Sequence, residues 1–152
     1  MEPSYVLIVD DDPDAREVLT DIVESLGLEA RVAEDGSTAL KAVNQTLPTL
    51  ILLDLMMPRM DGFTMLSRLR STPRTRAIPV IVVTACGNDG RRTLMLPGVI
   101  DVVPKGSFTV QFMTQIIGRT LMATGAVASG KAFLAEKEDK PQPQGGLPTT
   151  LW

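Results

Sequence analysis

Four short apolar runs in the chain are continuous rather than alternating. They are residues 5–10 (Tyr-Val-Leu-Ile-Val-Asp), 50–55 (Leu-Ile-Leu-Leu-Asp-Leu), 79–84 (Pro-Val-Ile-Val-Val-Thr) and 99–103 (Val-Ile-Asp-Val-Val). Such runs suit parallel strands covered on both faces. A weaker run, Glu-Ala-Arg-Val-Ala over 29–33, alternates more and predicts a strand at the sheet edge. Helical patterns lie between the runs. Asp12 followed by Pro13 reads as an N-cap and first-turn pair, opening a helix to about Leu26. Val18, Leu19, Ile22, Val23 and Leu26 form its apolar face, and Gly27 ends it. Further patterns predict a helix over 36–46 with Ala39, Leu40 and Val43 inward, and one over 62–71 with Phe63, Leu66 and Leu69 inward. A fourth, around 88–96, is poor, because Gly90 falls inside it and Pro97 stops it. The fifth is predicted over 107–123, with Phe108, Phe112, Met113 and Ile116 among its apolar residues.

Strands and helices therefore alternate, each strand leading into a helix. Right-handed crossovers turn that order into an α/β fold, a doubly wound five-stranded parallel sheet with helices on both faces. Ligands of such sheets bind at the carboxyl ends of the strands. The folded unit is expected over residues 1–123. Residues 124–152 change composition to Ala, Gly, Lys, Glu, Pro and Gln. There a short helix is conceivable over 131–139, and 140–152 reads as a flexible tail when unbound.

Composition narrows the chemistry. The 152 residues are 44% hydrophobic, enough for a sizeable core. Net charge is −3, from 15 Lys and Arg against 18 Asp and Glu, which disfavours direct nucleic-acid binding. Cys86 is the single cysteine, so an internal disulfide is excluded and the reducing cytosol is the expected compartment. Histidine is absent, which removes a histidine base, a Ser-His-Asp triad, a His-ligated zinc and a histidine phosphoacceptor. A metal held by this chain takes oxygen ligands, which points to Mg2+. No apolar run reaches the roughly 20 residues of a membrane span, and the N-terminal run ends in three aspartates, unlike a signal peptide.

The expected strand ends carry the chemistry. The first ends in Asp10, Asp11 and Asp12, the third in Asp54, the fourth in Thr84 and Ala85, and the fifth near Lys105. Asp10, Asp11 and Asp54 brought together repel one another. Lys105 and one divalent cation cancel their formal charge, and an oxygen-only Mg2+ site with an open face suits phosphoryl transfer. Asp54 is the best nucleophile, since a carboxylate is already ionised and needs no base. Three phosphoryl oxygens then need partners. Mg2+ serves one, the Thr84 hydroxyl with a backbone N–H of Ala85 another, and the Lys105 ammonium the third.

These residues resemble the response-regulator receiver domain of two-component signalling, of the chemotaxis-regulator type. The matching features are Val-Asp-Asp at 9–11, Asp-Leu-Met-Met-Pro-Arg-Met-Asp-Gly at 54–62, Val-Val-Thr-Ala at 82–85, and Lys105. The resemblance spans about residues 4–123. It implies a flavodoxin-like sheet with strand order 2-1-3-4-5. It implies phosphorylation on Asp54, itself among the Mg2+ ligands, with Asp11 binding Mg2+ directly, Asp10 through water and Met56 through its main-chain carbonyl. Thr84 would be the switch hydroxyl and Lys105 the phosphate-pairing lysine, while Pro58 and Gly62 would shape the loop after the third strand. Three departures stand out. Val102 replaces the family's usual aromatic, Gly106 rather than proline follows the lysine, and the stretch from Thr84 to Lys105 is about one residue short. They fall on the family's usual switch surface and leave the chemistry intact.

Several residues have plainer explanations. Asp12 is a helix cap, and Cys86 an ordinary small residue near the pocket. Arg68, Arg70, Arg74 and Arg76 read as a solvated face, as do Arg91 and Arg92. Met56, Met57, Met60 and Met65 read mostly as core or loop packing, and Trp152 as a terminus, with docking of Leu151-Trp152 the alternative. The expected function is a single-domain response regulator in a phosphorelay. It would take phosphate from a histidine kinase or histidine phosphotransfer protein and pass the signal to an output protein or onward by phosphotransfer. The expected state is a cytoplasmic monomer or weak dimer without membrane insertion, whose only catalysis is self-phosphorylation and slow self-dephosphorylation. A phosphorylation-independent adaptor is the rival. A phosphohydrolase with an aspartyl intermediate typically needs a second acid two places past the nucleophile, where this chain has Met56.

Overall fold

Alternate residues of the runs in the three central strands enter different cores, which explains why those runs are continuous. The computed structural model of the chain describes residues 4–85 and 90–125. Its strands are β1 (Tyr5–Val9), β2 (Glu29–Ala33), β3 (Leu50–Leu53), β4 (Val80–Thr84) and β5 (Val99–Pro104). Its helices are α1 (Pro13–Ser25), α2 (Gly36–Gln45), α3 (Gly62–Ser71), α4 (Gly90–Leu94) and α5 (Val110–Ala123). The strands form one parallel sheet in the order β2-β1-β3-β4-β5, as the resemblance implies. Tyr5, Leu7 and Val9 of β1 join a core with Ala39 and Val43 of α2 and Met65, Leu66 and Leu69 of α3. Val6 and Ile8 join the opposite core with Leu19, Ile22 and Val23 of α1 and Met113, Ile117 and Leu121 of α5. A period of two along the strand delivers successive side chains to the two layers. Strand β2 lies at one edge, and its Val32 is half exposed.

Helix starts are capped by side chains. Asp12 accepts from the Asp14 N–H at 3.0 Å, Asp35 from Thr38 at 2.8 Å, Asp61 from Thr64 at 2.8 Å, and the Thr109 hydroxyl from Phe112 at 3.0 Å. Each cap fills a donor that the first helical turn leaves unpaired. The Thr109 cap explains why α5 begins at Val110 rather than at 107; Phe108 precedes the helix and packs partly buried against the α1/α5 core. Helix α4 ends at Leu94, two residues before the end expected, while 88 and 89 lie outside the described residues.

Two residues expected to face inward do not. Val18 and Phe63 are both close to half exposed. Val18 borders a cavity of about 560 Å³ between α1 and the β5–α5 connection, so among the described residues no element covers its outer side. Phe63 lines a cleft of about 370 Å³ with Leu66, Leu96 and Pro97, where α3 stands away from the α4–β5 turn. The expected helix over 131–139, the tail over 140–152, Cys86 and Trp152 lie outside the described residues.

The pairing register positions the strand ends. Val9 pairs with Ala33 on one side and Leu53 on the other. The ladder runs one residue further, with the Asp10 N–H donating to Ala33 at 3.1 Å and the Asp54 N–H to Val9 at 2.9 Å. Between β4 and β5, Val80 pairs with Val99 but Ile81 with Asp101, so Ile100 is the extra residue of a bulge. Beyond it Thr84 pairs with Pro104, and the Lys105 N–H donates to the Thr84 carbonyl at 2.9 Å.

Candidate functional site

Asp10 and Asp54 stand just past the ends of adjacent central strands, and both are almost fully buried. Asp11 is exposed beside them. The three residues can present carboxylate oxygens that all lie within 4.8 Å of one another. Lys105 enters from the end of β5 and bonds both buried acids, Asp10 Oδ1 at 2.9 Å and Asp54 Oδ2 at 3.2 Å. Thr84 is buried at the end of β4, and Ala85 follows it at the surface. The structure thus brings Asp10, Asp11, Asp54, Thr84, Ala85 and Lys105 to one sheet edge, where the sequence places them.

The electrostatics are those of a site poised for a cation. Desolvation pushes the Asp10 carboxyl above its ordinary pKa, and the charge of Asp54 adds to that. The backbone N–H of Asp12, at 2.9 Å, and the Lys105 ammonium oppose the rise. Burial alone would lower the Lys105 pKa, but its bonds to Asp10 and Asp54 and their charges raise it above the usual lysine value. Among the described residues, Asp10 Oδ2 is buried without a hydrogen-bond partner. A buried carboxylate oxygen left unpaired is costly unless a cation meets it. A cluster of three carboxylates with such an orphaned oxygen fits Mg2+, a hard cation that takes oxygen ligands and keeps several waters.

The loop after β3 is shaped by close approach. The Gly62 N–H closes it onto the Leu55 carbonyl at 3.0 Å. A Cβ at Gly62 would lie 2.5 Å from the Asp54 carbonyl oxygen and 2.7 Å from Leu55 Cα, so only glycine fits. Pro58 lies exposed in this loop. Met56 is exposed too, and its N–H donates to Asp54 Oδ1 at 3.1 Å. Asp54 is thereby held through one oxygen by the loop and through the other by Lys105. Asp12 is the helix cap expected of it.

Sequence reasoning missed three residues around the site. Arg16 donates to the Asp10 carbonyl at 2.8 Å, bracing the strand end from α1. Arg59 pairs with the buried Asp35 at 3.0 Å. Arg16 follows the Asp12 cap by four positions, which sets its side chain above the strand end. Nothing local in sequence joins Arg59 to Asp35. Arg70 also departs from the solvated face expected of it. It donates to the carbonyls of Pro97 at 2.6 Å, Arg76 at 2.8 Å and Thr75 at 3.3 Å, and burial lowers its pKa.

Residues 6–117 match the response regulator receiver domain family, and the chain belongs to that family. It is 36% identical over 115 residues to a gliding motility regulatory protein of Myxococcus xanthus, covering 75% of this chain but 15% of that protein. Among solved structures it resembles a putative response regulator from Chloroflexus aurantiacus, with a TM-score of 0.72 and 30% identity over 80% of this chain and 99% of that one. It also resembles the response regulator TrrA of Thermotoga maritima in complex with Mg2+-BeF, with a TM-score of 0.69 and 28% identity over 77% of this chain and 98% of that one. Receiver domains take a phosphoryl group on an aspartate, with Mg2+ at an acidic pocket, from histidine kinases or phosphotransfer proteins. No helix among the described residues is long and apolar enough to cross a membrane.

Proposed function

We propose that this chain works as a single-domain response regulator phosphorylated on Asp54. The observation that carries this reading is the pair of bonds from Lys105 to Asp10 and Asp54 beside an orphaned Asp10 oxygen. In the step itself, an Asp54 carboxylate oxygen forms a bond to phosphorus as the donor's P–N bond breaks. The donor imidazole leaves and recovers a proton from solvent. Mg2+ held there would neutralise charge on the phosphoryl oxygens. Asp11 and the Met56 carbonyl would hold the ion directly, and Asp10 through water. Lys105 is already aimed at Asp54 and needs only to exchange a carboxylate oxygen for a phosphoryl oxygen. The Thr84 hydroxyl and the Ala85 N–H would receive another, drawing the loop after β4 toward the phosphate.

Movement of Thr84 is the event that turns a local charge into a surface change. The protein then binds an output protein or passes the phosphoryl group on, and its only catalysis is its own phosphorylation and slow dephosphorylation. It acts in the cytoplasm, as a monomer or weak dimer. A second reading, a phosphorylation-independent adaptor, draws on Val102, which packs against the α2/α3 core in place of an aromatic. Intact mass after incubation with acetyl phosphate separates the two. A gain of one phosphate that requires both Mg2+ and Asp54 supports the regulator. No gain from acetyl phosphate or from a phosphorylated histidine protein supports the adaptor.

A further inference from the structure

The loop from Leu55 to Gly62 is pinned at both ends, but its tip is held by a different element. At its base the Gly62 N–H meets Leu55 and the Met56 N–H meets Asp54. At its tip Arg59 has φ 67°, the left-handed region that an arginine rarely adopts. Such a conformation is strained and persists only where the surroundings favour it. Two contacts flank it, although the Arg59 side chain is itself largely exposed. The Arg59 guanidinium pairs with Asp35 Oδ2 at 3.0 Å, and Met60 lies against Gly36, where an added Cβ would come within 2.8 Å of Met60 Cγ. Asp35 is a fixed anchor. It is nearly fully buried, and its other oxygen caps α2 by accepting from Thr38 at 2.8 Å. Backbone donation from Thr38, with the charge of Arg59, holds the Asp35 carboxyl below the usual range, so it stays ionised.

We infer that Arg59 and Asp35 are positioning residues for the cation site, latching the β3–α3 loop to the start of α2 so that the Met56 carbonyl is set for Mg2+. The inference rests on the functional reading above. It adds that the metal site is maintained from α2, an element that contributes no ligand. Groups that orient a metal ligand are worth about tenfold or more in metal affinity.

The sign of the effect makes the claim testable. Removing the Arg59 cation by field alone would tighten Mg2+ binding, since one positive charge near the site is lost. Removing a latch weakens it. Mg2+ alone is titrated into the full chain by calorimetry, with the melting midpoint in EDTA as a fold control. Arg59→Ala is expected to weaken Mg2+ binding by about tenfold, and Arg59→Lys to restore most of it. Arg59→Gly is the second variant, because glycine accepts this φ without strain and stays folded if Arg59→Ala does not. It too should bind Mg2+ more weakly. Asp35→Asn, which retains a capping oxygen, should match Arg59→Ala, and the double variant should lose no more than either single one. Unchanged or tighter Mg2+ binding in Arg59→Ala and Arg59→Gly would overturn the latch while leaving the functional reading standing. Failure of the unmodified chain to bind Mg2+ would overturn both.

Discussion

The Lys105 N–H donates to the Thr84 carbonyl at 2.9 Å, one step beyond the last residues paired between β4 and β5. This bond places the phosphate-pairing lysine and the switch hydroxyl of the proposed mechanism at adjoining strand ends. It follows from the bulge at Ile100, which shifts the β5 register by one residue. Without that shift Thr84 would pair with Val103 rather than Pro104, and Lys105 would lie a residue further along. In the proposed mechanism, a signal read at Thr84 therefore starts next to the lysine that would hold the phosphate.

Lys105→Met separates charge balance from transition-state stabilisation. Removing the ammonium leaves Asp10 and Asp54 without their shared cation, so Mg2+ binding should tighten. Phosphorylation from acetyl phosphate should nonetheless slow by about 10²-fold, the cost of one lost donor to a developing oxyanion. Calorimetry and timed intact-mass measurements read the two effects separately.

Gly62→Ala should destabilise the fold by roughly 1–3 kcal/mol, because its Cβ would press on the Asp54 carbonyl and the Leu55 backbone. Neither contact is a flexible side-chain end that can swing away. The denaturation midpoint in urea should fall with little change in slope. A midpoint equal to that of the unmodified chain would mean that the loop after β3 moves more freely than its contacts indicate.

Arg70→Ala should cost about 1–3 kcal/mol, since it removes the charged donor that the carbonyls of Pro97, Thr75 and Arg76 share. Gly98→Ala should be at least as harmful. Gly98 has φ +79°, and a Cβ there would lie 2.1 Å from Arg70 Nη2. Thermal melts of the two variants and the double variant test whether one contact accounts for both losses.

Asp35 makes stability depend on pH. Its carboxyl is depressed in the fold, chiefly by the Thr38 N–H, so folding favours its ionised form. That contribution is fully present above the unfolded carboxylate pKa and is lost as pH falls through the depressed folded value. Asp35→Ala should therefore cost about 0.5–2 kcal/mol at neutral pH, the range for losing a helix cap, and progressively less in acid. Melts at pH 7 and below the ordinary carboxylate range give the comparison.

Much of this was legible in the sequence, and the exceptions share a cause. Continuous strands, helix order and the acids at strand ends follow from local patterns, so the sequence alone places Asp10, Asp11, Asp54, Thr84 and Lys105 at one sheet edge. Gly62 was legible as a loop residue, but the 2.5 Å approach to Asp54 that requires it was not. Val18 and Phe63 satisfy the helical period, yet whether another element covers them depends on packing that the period does not encode. Arg70 and Arg59 look like surface charges because their partners lie far away in sequence. Arg59 meets Asp35 across 24 positions and Arg70 meets Pro97 across 27.

The central claim is that Asp54 carries the phosphoryl group, and chemical trapping tests it most directly. Borohydride reduces an aspartyl phosphate to homoserine, which peptide mass mapping locates. After phosphorylation in Mg2+, homoserine is expected at position 54, and none should form in EDTA. Homoserine at position 10 or 11, or at no position after treatment with both acetyl phosphate and a phosphorylated histidine protein, would contradict the account.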